Sequence, residues 1–136
     1  TYNHFRYGSF RKGADDFSSK TVPSVPANTL SALADVQLKN GAYSNITYYS
    51  ASTIFLNDAN TATAAPYHLL GFRAGWKKIV QNKYKLNFYA GVDNLLNEVY
   101  SLGNDINAAA NRFYNAAPTR NYYVGLSFQW IKATKK

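Results

Sequence analysis

The sequence contains no cysteine and no methionine. Without cysteine, disulfide frameworks, thiolate metal sites and thiol nucleophiles are excluded together, although no cellular compartment is. Uninterrupted apolar runs extend only a few residues, far short of the ~18 that a transmembrane helix needs. Any meeting with a bilayer is therefore through β-structure or at its surface. There is no initiator methionine and no basic-then-apolar leader, so the chain reads as a mature segment or a piece of something longer. Charge is scarce too, at 16% of residues against about 25% in typical soluble domains. What the 136 residues do have is aromatic side chains, 12 Tyr and 8 Phe among them, and a net charge of +8. Such a balance suits nucleic acid or an anionic membrane surface, and the distribution of the charge decides which.

Six stretches alternate as β-strands do: residues 1–10, 28–39, 42–52, 67–78, 83–95 and 120–131. The pattern predicts an all-β, antiparallel meander. At about 10 to 13 residues each, these strands exceed the usual ~5–6 of soluble sheets and match the ~9–11 of a tilted strand crossing a bilayer. From the second strand on, even positions carry the apolar surface: Leu30, Val36, Ile46, Leu70, Phe72, Trp76, Leu86, Phe88, Val92, Val124, Leu126 and Phe128. Odd positions carry Ser31, Asp35, Asn45, Thr47, Arg73, Asn87, Asp93, Asn121 and Ser127, with Gly91 and Tyr89 among them. The first strand is weaker, with Phe5 and Tyr7 set against His4 and Arg6.

The connections alternate in length. "KNG" and "KIVQN" are short; residues 11–27, 53–66 and 101–119 form long loops rich in Asn, Asp, Ala, Ser and Pro. Short turns on one rim and long loops on the other fit a transmembrane barrel with periplasmic turns and extracellular loops. Eight of ten lysines lie at the short-turn rim or in the tail: Lys39, Lys77, Lys78, Lys83, Lys85, Lys132, Lys135 and Lys136. Four of seven acids, Asp15, Asp16, Asp58 and Asp105, sit in the long loops. The basic excess is a rim rather than a cleft, which argues against nucleic acid. The apolar face is expected to meet lipid and the polar face a barrel interior. The rival is a soluble all-β sandwich, such as a carbohydrate-binding module, where alternation also occurs.

Two later stretches carry more than periodicity. "YAGVDNLLNEVY" resembles the penultimate-strand motif of TonB-dependent outer-membrane receptors, with Asn94, Leu95, Asn97 and Tyr100 at its positions. "TRNYYVGLSFQW" is similar to the family's closing strand. Gly125, Phe128 and Trp130 fit the barrel-assembly signal, and the tail "IKATKK" departs from it by following the signal. "FSSKTVPSVPANTL" and "NDANTATAAPYHLLGFRAGWKK" resemble loop-to-strand units of the same receptors. The resemblance implies the last six strands of a 22-stranded barrel whose N-terminal plug lies outside this chain. It also implies the outer membrane of a Gram-negative bacterium and energy-coupled uptake of a ferric siderophore or similar nutrient. The implied partners are outer-membrane lipid, the remaining strands and plug, the TonB energy-coupling complex acting through the plug, and the barrel-assembly machinery. No catalytic residue, cofactor or metal is implied.

Catalysis finds little support in the residues. His4 and His68 stand alone, without metal-ligand spacing. Asp35 and Asp93 could form an acid–base pair, but wall carboxylates bonded to Arg73 or to lysines are the plainer expectation. "NDANT" lacks the Gly and terminal Glu of a calcium loop, and the Asn45-Ile-Thr47 sequon sits within a strand. Trp76 and Trp130 near the short-turn rim are expected in an interfacial girdle, with a sugar-stacking platform as rival. The loop group Arg112, Phe113 and Tyr114 suits an anionic iron chelate through charge and ring stacking, against ordinary loop packing.

Overall fold

The computed structural model describes residues 1–5 and 8–131. In chain order the strands are β1 (Tyr2–His4), β2 (Arg11–Lys12), β3 (Asp15–Asp16), β4 (Asn28–Gln37), β5 (Ala42–Ala51), β6 (Ile54–Phe55), β7 (Thr63–Ala64), β8 (Tyr67–Val80), β9 (Tyr84–Asp93), β10 (Ser101–Asn104), β11 (Tyr114–Ala116) and β12 (Asn121–Trp130). Six of them make one sheet in the order β1-β4-β5-β8-β9-β12, every neighbour antiparallel. The other strands form three two-stranded ribbons inside the long connections. The architecture is an all-β meander, and β1 and β12 each keep one edge unpaired among the described residues.

Five of the main strands begin and end within two residues of the alternating stretches. The first does not. Its ladder to β4 covers Tyr2, Asn3 and His4 only, with one further bond from the Phe5 amide to the Ala27 carbonyl. The even-side residues there are Tyr2 and His4, so Phe5 belongs to the opposite face. Arg6 and Tyr7, part of the expected alternation, lie outside the described residues, as do Lys132, Lys135 and Lys136 of the expected basic rim.

Register settles which residues share a face. Every main ladder pairs even with even: Tyr2 with Leu30, Ala34 with Ile46, Ile46 with Phe72, Phe72 with Val92, and Phe88 with Leu126. Because a one-residue slip would exchange the faces, the turns that fix the register matter. At the first, Gly41 has φ +91° and its carbonyl accepts the Lys77 amide at 2.8 Å. A Cβ at Gly41 would overlap the Lys77 carbonyl oxygen, so only glycine fits. At the second, Gln81 and Asn82 both take positive φ, 51° and 52°, and the Lys83 amide bonds the Val80 carbonyl at 3.1 Å. That is the type I′ turn whose twist matches the flanking strands.

Burial is distributed unlike that of a soluble sandwich. The contiguous hydrophobic cluster consists of Ile54, Leu56, Ala64 and Phe113, all in the long connections. Most of the even face of the sheet is open: Phe72 is 40% exposed, Phe88 56%, Leu126 72% and Val124 77%, with Val92 buried among them.

Candidate functional site

The sheet presents two chemically different walls. On the even wall the apolar band is bounded at both ends by aromatic groups with polar tips. Toward the long-loop end, the Tyr48 hydroxyl meets His68 Nδ1 at 2.8 Å, and Asn28 Oδ1 accepts the Tyr2 hydroxyl at 2.6 Å and contacts His4 Nδ1 at 2.7 Å. Both histidines are therefore strand-end partners of neighbouring side chains. Toward the short turns, Trp76 Nε1 donates to the Asn40 carbonyl at 2.8 Å. The Tyr84 ring packs between Phe128 and Trp130, each 5.4 Å away. On β12 the two ends are marked by Tyr122 and Trp130, about 27 Å apart along an extended strand.

The odd wall is a floor of glycines covered by tyrosines. Tyr43 lies opposite Gly75, Tyr89 opposite Gly125 and Tyr123 opposite Gly91. A Cβ at Gly91 would stand 2.5 Å from the Tyr123 hydroxyl, and one at Gly125 would stand 2.7 Å from Tyr89 Cε2. Each ring thus lies flat over the bare backbone of the neighbouring strand. Cations then stack on the rings: Arg73 Cζ is 3.8 Å from the Tyr89 centroid and Lys77 Nζ is 4.4 Å from that of Tyr43. The Tyr43 hydroxyl donates to Asn87 Oδ1 at 2.9 Å.

This corrects the expectation that Asp35 or Asp93 bonds to Arg73 or a lysine. Among the described residues no carboxylate lies within 4.0 Å of Arg73, and its Nε is buried without a partner. Register explains it: Arg73 faces Gly91, one pair from Tyr89, so the guanidinium reaches the ring first. Asp35 instead accepts from Asn45 Nδ2. Asp93 lines a cleft of about 660 Å³ with Ser31, Leu33, Thr47, Tyr49 and Asn121, roofed by Tyr100, Leu102 and Pro118.

The long connections fold onto one another. Lys20 Nζ donates to the Ala59 carbonyl at 2.8 Å, and Asn60 exchanges two bonds with the Thr21 backbone, at 2.9 and 3.0 Å. Asn107 Oδ1 accepts the Asp58 amide at 3.3 Å, and the Asn107 amide donates to the Leu56 carbonyl at 2.9 Å. Lys12 pairs with Asp58 at 3.6 Å. In this cap Phe113 is only 7% exposed and packs with Leu56. Its ring packs into the cap, as ordinary loop packing would have it. Arg112 and Tyr114 are exposed. The Tyr114 hydroxyl donates to the Thr63 carbonyl at 3.0 Å, and its side chain lines a cavity of about 410 Å³ with Tyr67, Val99, Tyr100 and Asn104. Asn104 Oδ1 is buried there without a partner among the described residues.

The residues of the penultimate-strand motif build a turn. Asn94 is 6% exposed with φ 50°. Its amide closes a small ring, donating to the Glu98 carbonyl at 2.8 Å and accepting the Glu98 amide at 2.9 Å. The Leu95 amide ties the turn to Leu70 at 2.7 Å. Asn97, φ 59°, accepts the Arg120 amide at 3.1 Å and so fixes where the last strand starts. Tyr100 packs its ring 4.9 Å from Tyr67. Asparagine suits both positions because it tolerates left-handed backbone and bonds locally. Gly125, Phe128 and Trp130 all lie on β12, Gly125 on the odd wall and the two aromatics on the even one. No protein-family model matches the chain.

Proposed function

We propose that the chain forms part of the wall and outer loops of a TonB-dependent outer-membrane receptor that takes up a ferric siderophore or similar nutrient. The observation that carries this reading is the inversion of burial. The hydrophobic cluster is in the loops, while most of the sheet's apolar side stands open, Phe72, Phe88, Val124 and Leu126 among it, with Val92 the buried exception. A soluble carbohydrate-binding sandwich needs that side covered by a second sheet. A bilayer covers it without one, and a closed β-barrel is one of two backbone arrangements that satisfy their hydrogen bonds in lipid. The open edges of β1 and β12 would pair with further strands of a larger barrel. In such a receptor the substrate binds at loops and plug, and the energy-coupling complex pulls on the plug. The wall supplies a rigid frame, and the cap supplies an exposed Arg112 and Tyr114, which lines the loop cavity.

Single cysteines test the topology, since this chain has none of its own. In intact cells making the full receptor, Cys at Ala14, Thr61 or Ile106 reacts with an impermeant thiol reagent. Cys at Lys39 or Gln81 reacts only after the outer membrane is permeabilised. Labelling of Lys39→Cys with protection of Thr61→Cys would reject the arrangement. Loss of labelled ferric-chelate uptake on deleting the receptor tests the cargo.

A further inference from the structure

The short-turn end of the even wall carries two cations that no acid among the described residues pairs with. Lys78 faces this wall, paired with Leu86, which pairs in turn with Phe128. One pair above it lie Trp76 and Phe88; one pair below lie Val80 and Tyr84, and Tyr84 pairs with Trp130. Lys78 Nζ is 5.3 Å from the Trp76 centroid. Lys83, in the turn, holds Nζ 5.0 Å from Trp130 and 5.6 Å from Tyr84. The ion pairs among the described residues, Arg11–Asp16 and Lys12–Asp58, are both in the long connections. Two ammonium groups thus rest on aromatic rings above and below a strip of Leu86 and Phe128, with most of their N–H donors unspent.

We propose that Trp76, Lys78, Lys83, Tyr84 and Trp130 form a headgroup site for an anionic glycerophospholipid in the leaflet on the short-turn side. The inference rests on the membrane reading above. Charge complementarity selects the occupant: a phosphodiester offers one negative charge and two free oxygens to two point-charge donors. Its acyl chains continue onto Leu86, Phe128, Phe88 and Leu126. Indole and phenol rings suit the depth at which headgroup meets acyl chain. The rings also hold the ammonium groups in place before lipid arrives, which reduces the ordering cost of binding.

The test uses the full receptor in mixed bilayers and tryptophan quenching by dibrominated phosphatidylglycerol or dibrominated phosphatidylcholine. The part of the signal lost on Trp76→Phe/Trp130→Phe is read as local. The proposal expects phosphatidylglycerol to quench in preference to phosphatidylcholine. That preference falls about fivefold for each of Lys78→Gln and Lys83→Gln, and stays unchanged in Lys12→Gln/Lys20→Gln. Equal local quenching by both lipids overturns the headgroup site and leaves the lipid-facing wall intact. Local quenching by neither lipid overturns both. Displacement of the phosphatidylglycerol preference by millimolar inorganic phosphate at constant ionic strength assigns the site to free phosphate instead and rejects a lipid site.

Discussion

Substituting Gly125 by Ala adds one methyl group and strains a whole row of the odd wall. The added Cβ would stand 2.7 Å from Tyr89 Cε2 and nearer still to Cζ and the hydroxyl. No backbone atom is among the three nearest obstacles, so the strand stays and the Tyr89 ring must leave. Displacing a packed ring by overfilling costs about 1–3 kcal/mol. The ring carries Arg73 at 3.8 Å, and losing that contact adds about 0.5–2 kcal/mol. We expect Gly125→Ala to destabilise the folded protein by roughly 2–4 kcal/mol in a denaturant titration. Tyr89→Ala removes the obstacle, so the double variant Gly125→Ala/Tyr89→Ala is expected to be no less stable than Tyr89→Ala alone. Gly91→Ala behaves the same way with Tyr123→Ala, because its three nearest obstacles also belong to one ring. Gly75 is the control. There a Cβ stands 2.7 Å from the Phe88 carbonyl oxygen as well as against Tyr43, so Tyr43→Ala does not rescue Gly75→Ala. Additive losses at Gly125 and Tyr89, or a rescue at Gly75, would refute the ring-over-glycine account. If Gly125 acts only as an assembly signal, Tyr89→Ala restores nothing.

Leu56 is fully buried in the loop cluster, so Leu56→Ala should cost about 2–5 kcal/mol. Hydrogen exchange should show the loss in amides of the long connections, not in the middle of β9; uniform loss would mean that cap and sheet unfold as one. Asn94→Ala removes both bonds to Glu98 and is expected to destabilise by about 1–3 kcal/mol, loosening the start of β12 in exchange measurements. Hydrogen bonds from the Ser18 hydroxyl, then the Ser18 amide, hold the Asp16 carboxyl below its ordinary value of 3.8. The stabilisation that this brings is present above the unfolded pKa and is lost as pH falls through the lower folded one. Ser18→Ala should move the Asp16 titration upward by carboxyl NMR; an unmoved titration would reject the assignment.

Much of the sheet is legible in the sequence because each side chain of a two-faced strand reports its face directly. Even–odd segregation through Leu86, Phe88, Ala90 and Val92, with "KNG" fixing one turn, is enough to place five strands. The first strand resists because Phe5 belongs to the odd face and breaks the alternation. The odd wall was half visible. Gly71, Gly75, Gly91 and Gly125 share parity with Tyr43, Tyr89 and Tyr123, but which ring covers which glycine depends on register between strands. The cap was hidden for the same reason. Leu56 and Phe113 are 57 positions apart by number and meet only after both loops fold back, so the sequence leaves Phe113 open between ligand contact and loop packing. Asn94 and Asn97 stand out in the motif, and their left-handed backbone gives that motif a physical purpose.

Whether the even wall faces lipid, as proposed, is tested most directly at two adjacent residues of β12, Leu126→Arg and Ser127→Arg, by folding titration of the proposed full-length receptor into bilayers. Leu126 is 72% exposed, so in water an Arg there changes stability by only about 0.5 kcal/mol either way. Facing the middle of a bilayer, the same change costs about 2–4 kcal/mol. A lipid-facing Leu126 shows that cost and Ser127 a much smaller one; equal costs at the two positions would refute the lipid-facing assignment.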